Sequence, residues 1–118
     1  MPPMPTPRSS CAAASVLGAV YVCGGFDVGR GALAVVERFD PRLGAWERLA
    51  PLATQRFGCA AAATARRRSS KLYVFGGIGN DGRNIVATES FDPRDMRWEA
   101  QPPMPTARRY CSGAAVWR

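Results

Sequence analysis

A chain of 118 residues, 47% apolar and 21% charged, can bury one ordinary core and is too apolar to stay disordered. No run approaches the roughly 18 consecutive apolar residues that a membrane-spanning helix needs, so no membrane role is expected. The net charge of +7, much of it at Arg66, Arg67, Arg68, Arg108 and Arg109, would attract acidic partners or nucleic acid; without interleaved aromatics to stack bases, nucleic acid is not the expected partner.

In chain order, PPMPTPRSSC (2–11) opens the chain and lacks the charged start and apolar run of a secretory signal. CAAASVL (11–17) follows, a run of small side chains suited to a strand crowded on both faces. Alanine also has the best helix propensity. A run this short does not hold a helix alone, however, and the β-rich residues after it favour a hairpin partner. AVYVCGG (19–25) reads as a second strand stopped by two glycines, which mark backbone conformations or close contacts that a Cβ would forbid. LAVVERF (33–39) reads as a third strand, Asp40-Pro41 as a turn and AWERLA (45–50) as a short fourth strand.

The pattern then repeats. APLATQRFGC (50–59) and PPMPTARRYC (102–111) align with the opening phrase without gaps, so that Thr6, Thr54 and Thr106 coincide, as do Arg8, Arg56 and Arg108, and Cys11, Cys59 and Cys111. CAAAATA (59–65), KLYVFGG (71–77), IVATESF (85–91) with Asp92-Pro93, and RWEAQ (97–101) restate the four strands. From Tyr21 to Trp46 and from Tyr73 to Trp98 the offset is a constant 52 residues, whereas the first two cysteines lie 48 apart. The difference sits where LGAV (17–20) becomes ARRRSSKL (65–72), so the triple arginine is a loop insertion, read as a solvated basic loop. Four antiparallel strands in a repeat of about 50 residues is the arrangement of a β-propeller blade.

The glycine pair after an apolar second strand, the aromatic before Asp-Pro and the tryptophan six residues after that Asp resemble the kelch family. The likeness covers essentially the whole chain. It implies an all-β fold: two four-stranded antiparallel blades of an incomplete propeller. The chain divides into an interblade linker (1–9), a first blade (10–50), a linker (51–57), a second blade (58–101), and a linker with the first strand of a third blade (102–118). By the resemblance the Ala-rich strands lie innermost. Trp46 and Trp98 then wedge between blades, with Tyr21 and Tyr73 in the same layer and Gly24, Gly25, Gly76 and Gly77 as structural signature. Two blades do not close a ring, for which about four to eight are typical. A piece of a longer protein, a truncated gene model, a short chain that closes a ring by self-association and a degenerate remnant are the alternatives.

Chemistry is sparse. There is no histidine, which removes His-based acid/base catalysis and most zinc sites. The cysteines form no C-x-x-C pair, and the one-per-blade positions of Cys11, Cys59 and Cys111 are too far apart for a disulfide. Cys23 reads as a core residue. No catalytic residue, metal or cofactor is expected. Glu37 and Glu89 occupy equivalent positions and are expected to orient a nearby arginine or backbone group. Four cysteines without a targeting segment suit a reducing compartment, the cytoplasm or alternatively the nucleus.

Strand order puts the interblade linkers and the loops FDVGRGA (26–32) and IGNDGRN (78–84) on one face. The resemblance implies that another protein binds there. Arg8, Arg30, Arg56, Arg83 and Arg108 are the candidate partner-binding residues, suited to an acidic or phosphorylated segment. For Arg8, Arg56 and Arg108 a role in holding the linkers is an equal alternative, and for Arg30 and Arg83 simple solvation. The triple arginine falls on the opposite face. The expected function is a non-enzymatic protein-interaction module, with substrate recognition in a ubiquitin-ligase adaptor as its finer form. The alternative is part of a kelch-propeller enzyme, of oxidase or sugar-epimerase type, with catalytic residues in other blades.

Overall fold

The structure, a computed structural model, describes residues 3–5, 8–64, 70–103 and 105. The triple arginine, Arg108, Cys111 and the expected third-blade strand lie outside them.

Among the described residues ten strands follow in chain order: β1 (Ala12–Val16), β2 (Ala19–Cys23), β3 (Phe26–Asp27), β4 (Gly31–Ala32), β5 (Val36–Asp40), β6 (Ala45–Leu49), β7 (Ala60–Ala63), β8 (Leu72–Phe75), β9 (Thr88–Asp92) and β10 (Arg97–Gln101). They form one four-stranded sheet in the order β1-β2-β5-β6, a second in the order β7-β8-β9-β10, and the small β3–β4 hairpin. All pairings are antiparallel. Among the described residues no helix is long and apolar enough to cross a membrane.

The alanine runs form strands because of what surrounds them. Ala12 and Ala14 sit opposite Cys23 and Tyr21 in register, and Ala61 sits opposite Val74. Small side chains on β1 and β7 let these edge strands approach each other, and β1 packs against both β7 and β8. Strand alternation then turns Ala12, Val16, Tyr21, Cys23, Val36 and Leu49 of the first sheet toward Leu72, Val74 and Phe91 of the second, in one core. Tyr21 and Phe91 meet across the joint with ring centroids 5.8 Å apart.

Turn chemistry repeats as well. The Oδ1 atoms of Asp40 and Asp92 accept from the backbone N–H of Arg42 and Arg94, both at 2.9 Å. The last position of each turn needs a positive φ, which Gly44 supplies at 62° and Met96 at 58°. Leu17 and Gly18 form a two-residue hairpin turn with φ of 51° and 83°, the primed geometry that matches strand twist.

Two departures from the sequence reading bear on function. The third strands begin at Val36 and Thr88, three residues later than expected, because the residues before them serve the linkers instead. The carbonyls of Leu33 and Ala34 accept from the linker N–H groups of Arg56 and Leu52, at 3.0 and 2.9 Å, and that of Ala87 accepts from the Arg56 side chain at 2.9 Å. The loops expected at 26–32 and 78–84 are short hairpins: β3 pairs with β4, and Ile78 bridges Asn84 in the matching register.

Candidate partner-docking face

Among the described residues, two linkers are pinned by an arginine to the blade that follows. Arg8 Nη1 donates to the carbonyls of Gly24 and Val35, both at 2.8 Å, and its Nη2 pairs with Glu37. Arg56 repeats the arrangement, with Nη1 to Gly76 O at 3.2 Å and Ala87 O at 2.9 Å, and Nη2 to Glu89 Oε2 at 2.7 Å. Glu89 Oε1 also accepts from the Ala53 N–H at 2.7 Å, fixing the linker a second time. Both arginine side chains are fully buried. A partner cannot reach them, so Arg8 and Arg56 take the linker-holding role and leave the set of candidate contact residues.

The glycine pairs exist for the same joint. A Cβ on Gly24 would lie 2.5 Å from the Arg56 carbonyl oxygen, and one on Gly77 would lie 2.7 Å from that of Phe57. The linker therefore runs directly over the glycines, and Gly25 N–H donates to Arg56 O at 2.8 Å. Trp98 packs against Phe91 in a tilted arrangement with centroids 5.1 Å apart, and its Nε1–H reaches back to Ala50 O at 2.8 Å. Trp46 packs against Phe39 in the same tilted way at 5.3 Å, and Tyr73 is half-buried. Cys11, Cys23 and Cys59 are free thiols, and burial pushes the Cys23 thiol far up, which makes it inert in the fold.

What this scaffold displays is a pair of hairpins. Bridges Ser9–Phe26 and Phe57–Ile78 add each linker to its hairpin like a further strand, so linkers and hairpin tips share one face. Arg30 stands at the first tip with an exposed side chain, loosely paired with Asp27 at 3.7 Å. Arg83 is exposed on the second, and its backbone N–H is held by Asp81 Oδ1 at 2.9 Å.

Sequence reasoning missed Asn80. Its Oδ1 accepts from the Ala32 N–H at 2.7 Å and its Nδ2 donates to Gln55 Oε1 at 3.0 Å, so it clasps the first blade, the linker and the second blade together. The equivalent residue in the first repeat is Val28, so repetition gave no signal. Beside Asn80 a cleft of about 590 Å³ opens between linker and hairpin, lined by Ala34, Leu52, Thr54, Gln55, Asp81 and Ile85 among others. Among the described residues no group of three or more His, Cys, Asp or Glu is placed to hold a metal ion.

Comparison with known proteins finds likenesses in sequence and in fold. Residues 7–53 match the family model described as the Kelch motif. Mouse Kelch-like protein 35 is 38% identical over 92 residues, 78% of this chain and 15% of that protein. An Arabidopsis thaliana F-box/kelch-repeat protein is 37% identical over 105 residues, 81% of this chain and 24% of that protein. The chain thus spans a quarter or less of the length of these relatives. The solved structure of YjhT superposes with a TM-score of 0.70 over 84% of this chain and 38% of that one, at 19% identity, a likeness of fold alone.

Proposed function

The chain belongs to the kelch-repeat family, and from that premise we propose that its two blades are part of a protein-interaction module whose partner rests on the face of linkers and hairpin tips. The observation that carries this reading is the division of labour among the arginines. Arg8 and Arg56 are consumed in pinning the linkers, while Arg30 and Arg83 stand exposed on the hairpins that those linkers bridge. A guanidinium offers a planar fork of donors that matches a carboxylate or phosphate, so an acidic or phosphorylated segment is the partner chemistry that suits them. The reading is non-catalytic in form: among the described lining residues the cleft offers one ionisable group, Asp81, and general acid–base chemistry works through a positioned donor and acceptor. Its finer form, the substrate-recognition part of a ubiquitin-ligase adaptor, draws its support from the F-box/kelch-repeat relative.

The test is fluorescence polarisation with a labelled glutamate-rich peptide and its phosphoserine counterpart. Binding is expected to weaken about tenfold or more in the Arg30→Ala/Arg83→Ala chain, because hydrogen bonds to charged groups contribute about 1.5–3 kcal/mol. Equal binding with both arginines removed, or no binding of either peptide, contradicts the reading.

A further inference from the structure

The cleft beside Asn80 differs in chemistry from the arginines around it. Its floor is apolar, made by Leu52, which is buried, with Ala34 and Ile85, which are half-buried. Among its described lining residues Asp81 carries the single charge. One oxygen of that carboxylate accepts from the Arg83 backbone N–H, and among the described residues Asp81 enters no ion pair. An apolar floor with one carboxylate at the rim fits a long aliphatic stem that ends in a cation. Thr54 and Gln55 add polar groups at the same rim, and Gln55 is already oriented by its hydrogen bond from Asn80. The wall is therefore set before anything binds, which lowers the ordering cost of binding. On a chain of net charge +7, a local anionic rim over an apolar floor selects against the acidic residues that the rest of the surface attracts.

We infer that this cleft seats a lysine or arginine side chain of the partner segment, its methylenes over Leu52 and Ile85 and its charge against Asp81. The inference rests on the reading that a partner docks on this face. It adds that the segment has mixed charge, with a cation in the cleft and anions against Arg30 and Arg83.

The experiment uses the full 118-residue chain and two labelled acidic peptides that differ at one central position, lysine in one and norleucine in the other. Norleucine keeps the stem and removes the charge. The lysine peptide should bind roughly fivefold tighter, about 1 kcal/mol for one partly exposed ion pair. That advantage should vanish in Asp81→Asn, a variant that caps the same turn and keeps the fold. Amide shifts on adding the lysine peptide should centre on Thr54, Gln55 and Ile85. Equal binding of the two peptides, or an advantage that survives in Asp81→Asn, overturns the cleft assignment while leaving the arginine reading intact. A lysine advantage indifferent to Arg30→Ala/Arg83→Ala supports the cleft and removes the acidic contacts. If neither peptide binds, both fall.

Discussion

Replacing Arg56 with methionine is expected to destabilise the chain by about 3–5 kcal/mol, the range for breaking one partner out of a buried ion pair. Methionine keeps most of the stem, so the loss falls on the charge and its hydrogen bonds. Glu89, itself buried, would keep only the Ala53 N–H, and the carbonyls of Gly76 and Ala87 would lose their donor. In a domain of this size such a loss lowers Tm by on the order of 10 °C or more. Glu89→Leu alone should cost about as much, since it strands the guanidinium instead. The double variant Arg56→Met/Glu89→Leu should recover a large part, because no charge is then left unpaired in the interior. Arg30→Ala, at an exposed tip, should change stability by less than about 0.5 kcal/mol. Urea unfolding of the four chains checks the set. A loss below about 1 kcal/mol for Arg56→Met would mean that the linkers are held by something other than this pair.

The glycine pairs give the second large effect, with a control inside the same chain. Gly24→Ala should cost about 3 kcal/mol or more, because two penalties fall together. The residue has φ of +67°, which costs an L side chain about 1–2 kcal/mol. The new Cβ would also lie 2.5 Å from the Arg56 carbonyl oxygen, a backbone atom that already accepts from Gly25 N–H and cannot swing aside. Gly44 shares the first penalty without the second: its φ is +62°, and nothing stands within 4 Å of an added Cβ. Gly44→Ala should therefore cost only about 1–2 kcal/mol. Equal losses at the two sites would show that backbone conformation alone explains the glycines and that the linker does not lie tightly over them.

Much of the scaffold was legible because the chain states it twice. Two copies of each apolar strand, glycine pair and Asp-Pro turn fixed the strand order and count within each sheet. That Glu37 and Glu89 orient a nearby arginine or backbone group was visible from their equivalent positions 52 residues apart, although the four-residue insertion between them hid which arginine each would meet. What repetition could not say is which way Arg8 and Arg56 point, since R-x-x-C spacing suits either burial or display. Their burial follows from the glycine pairs, which bring the linker close enough for the guanidinium to reach Val35 or Ala87 and the carboxylate beyond. The same carbonyls explain the late start of the third strands. The cleft was invisible for a different reason: its walls come from a linker and a hairpin whose key residues, Asn80 and Asp81, have no counterpart in Val28 and Gly29.

The central claim is that the linker is part of the rigid joint between blades, and native-state hydrogen exchange tests it most directly. The amides of Gly25, Leu52, Arg56 and Gly58 donate across this joint, at 2.8, 2.9, 3.0 and 2.8 Å. They should exchange only through global unfolding, with the same opening free energy as the core strand amides of Val74 and Phe91. Exchange of these four amides at the rate of the hairpin tips, while the strands stay protected, would contradict the account.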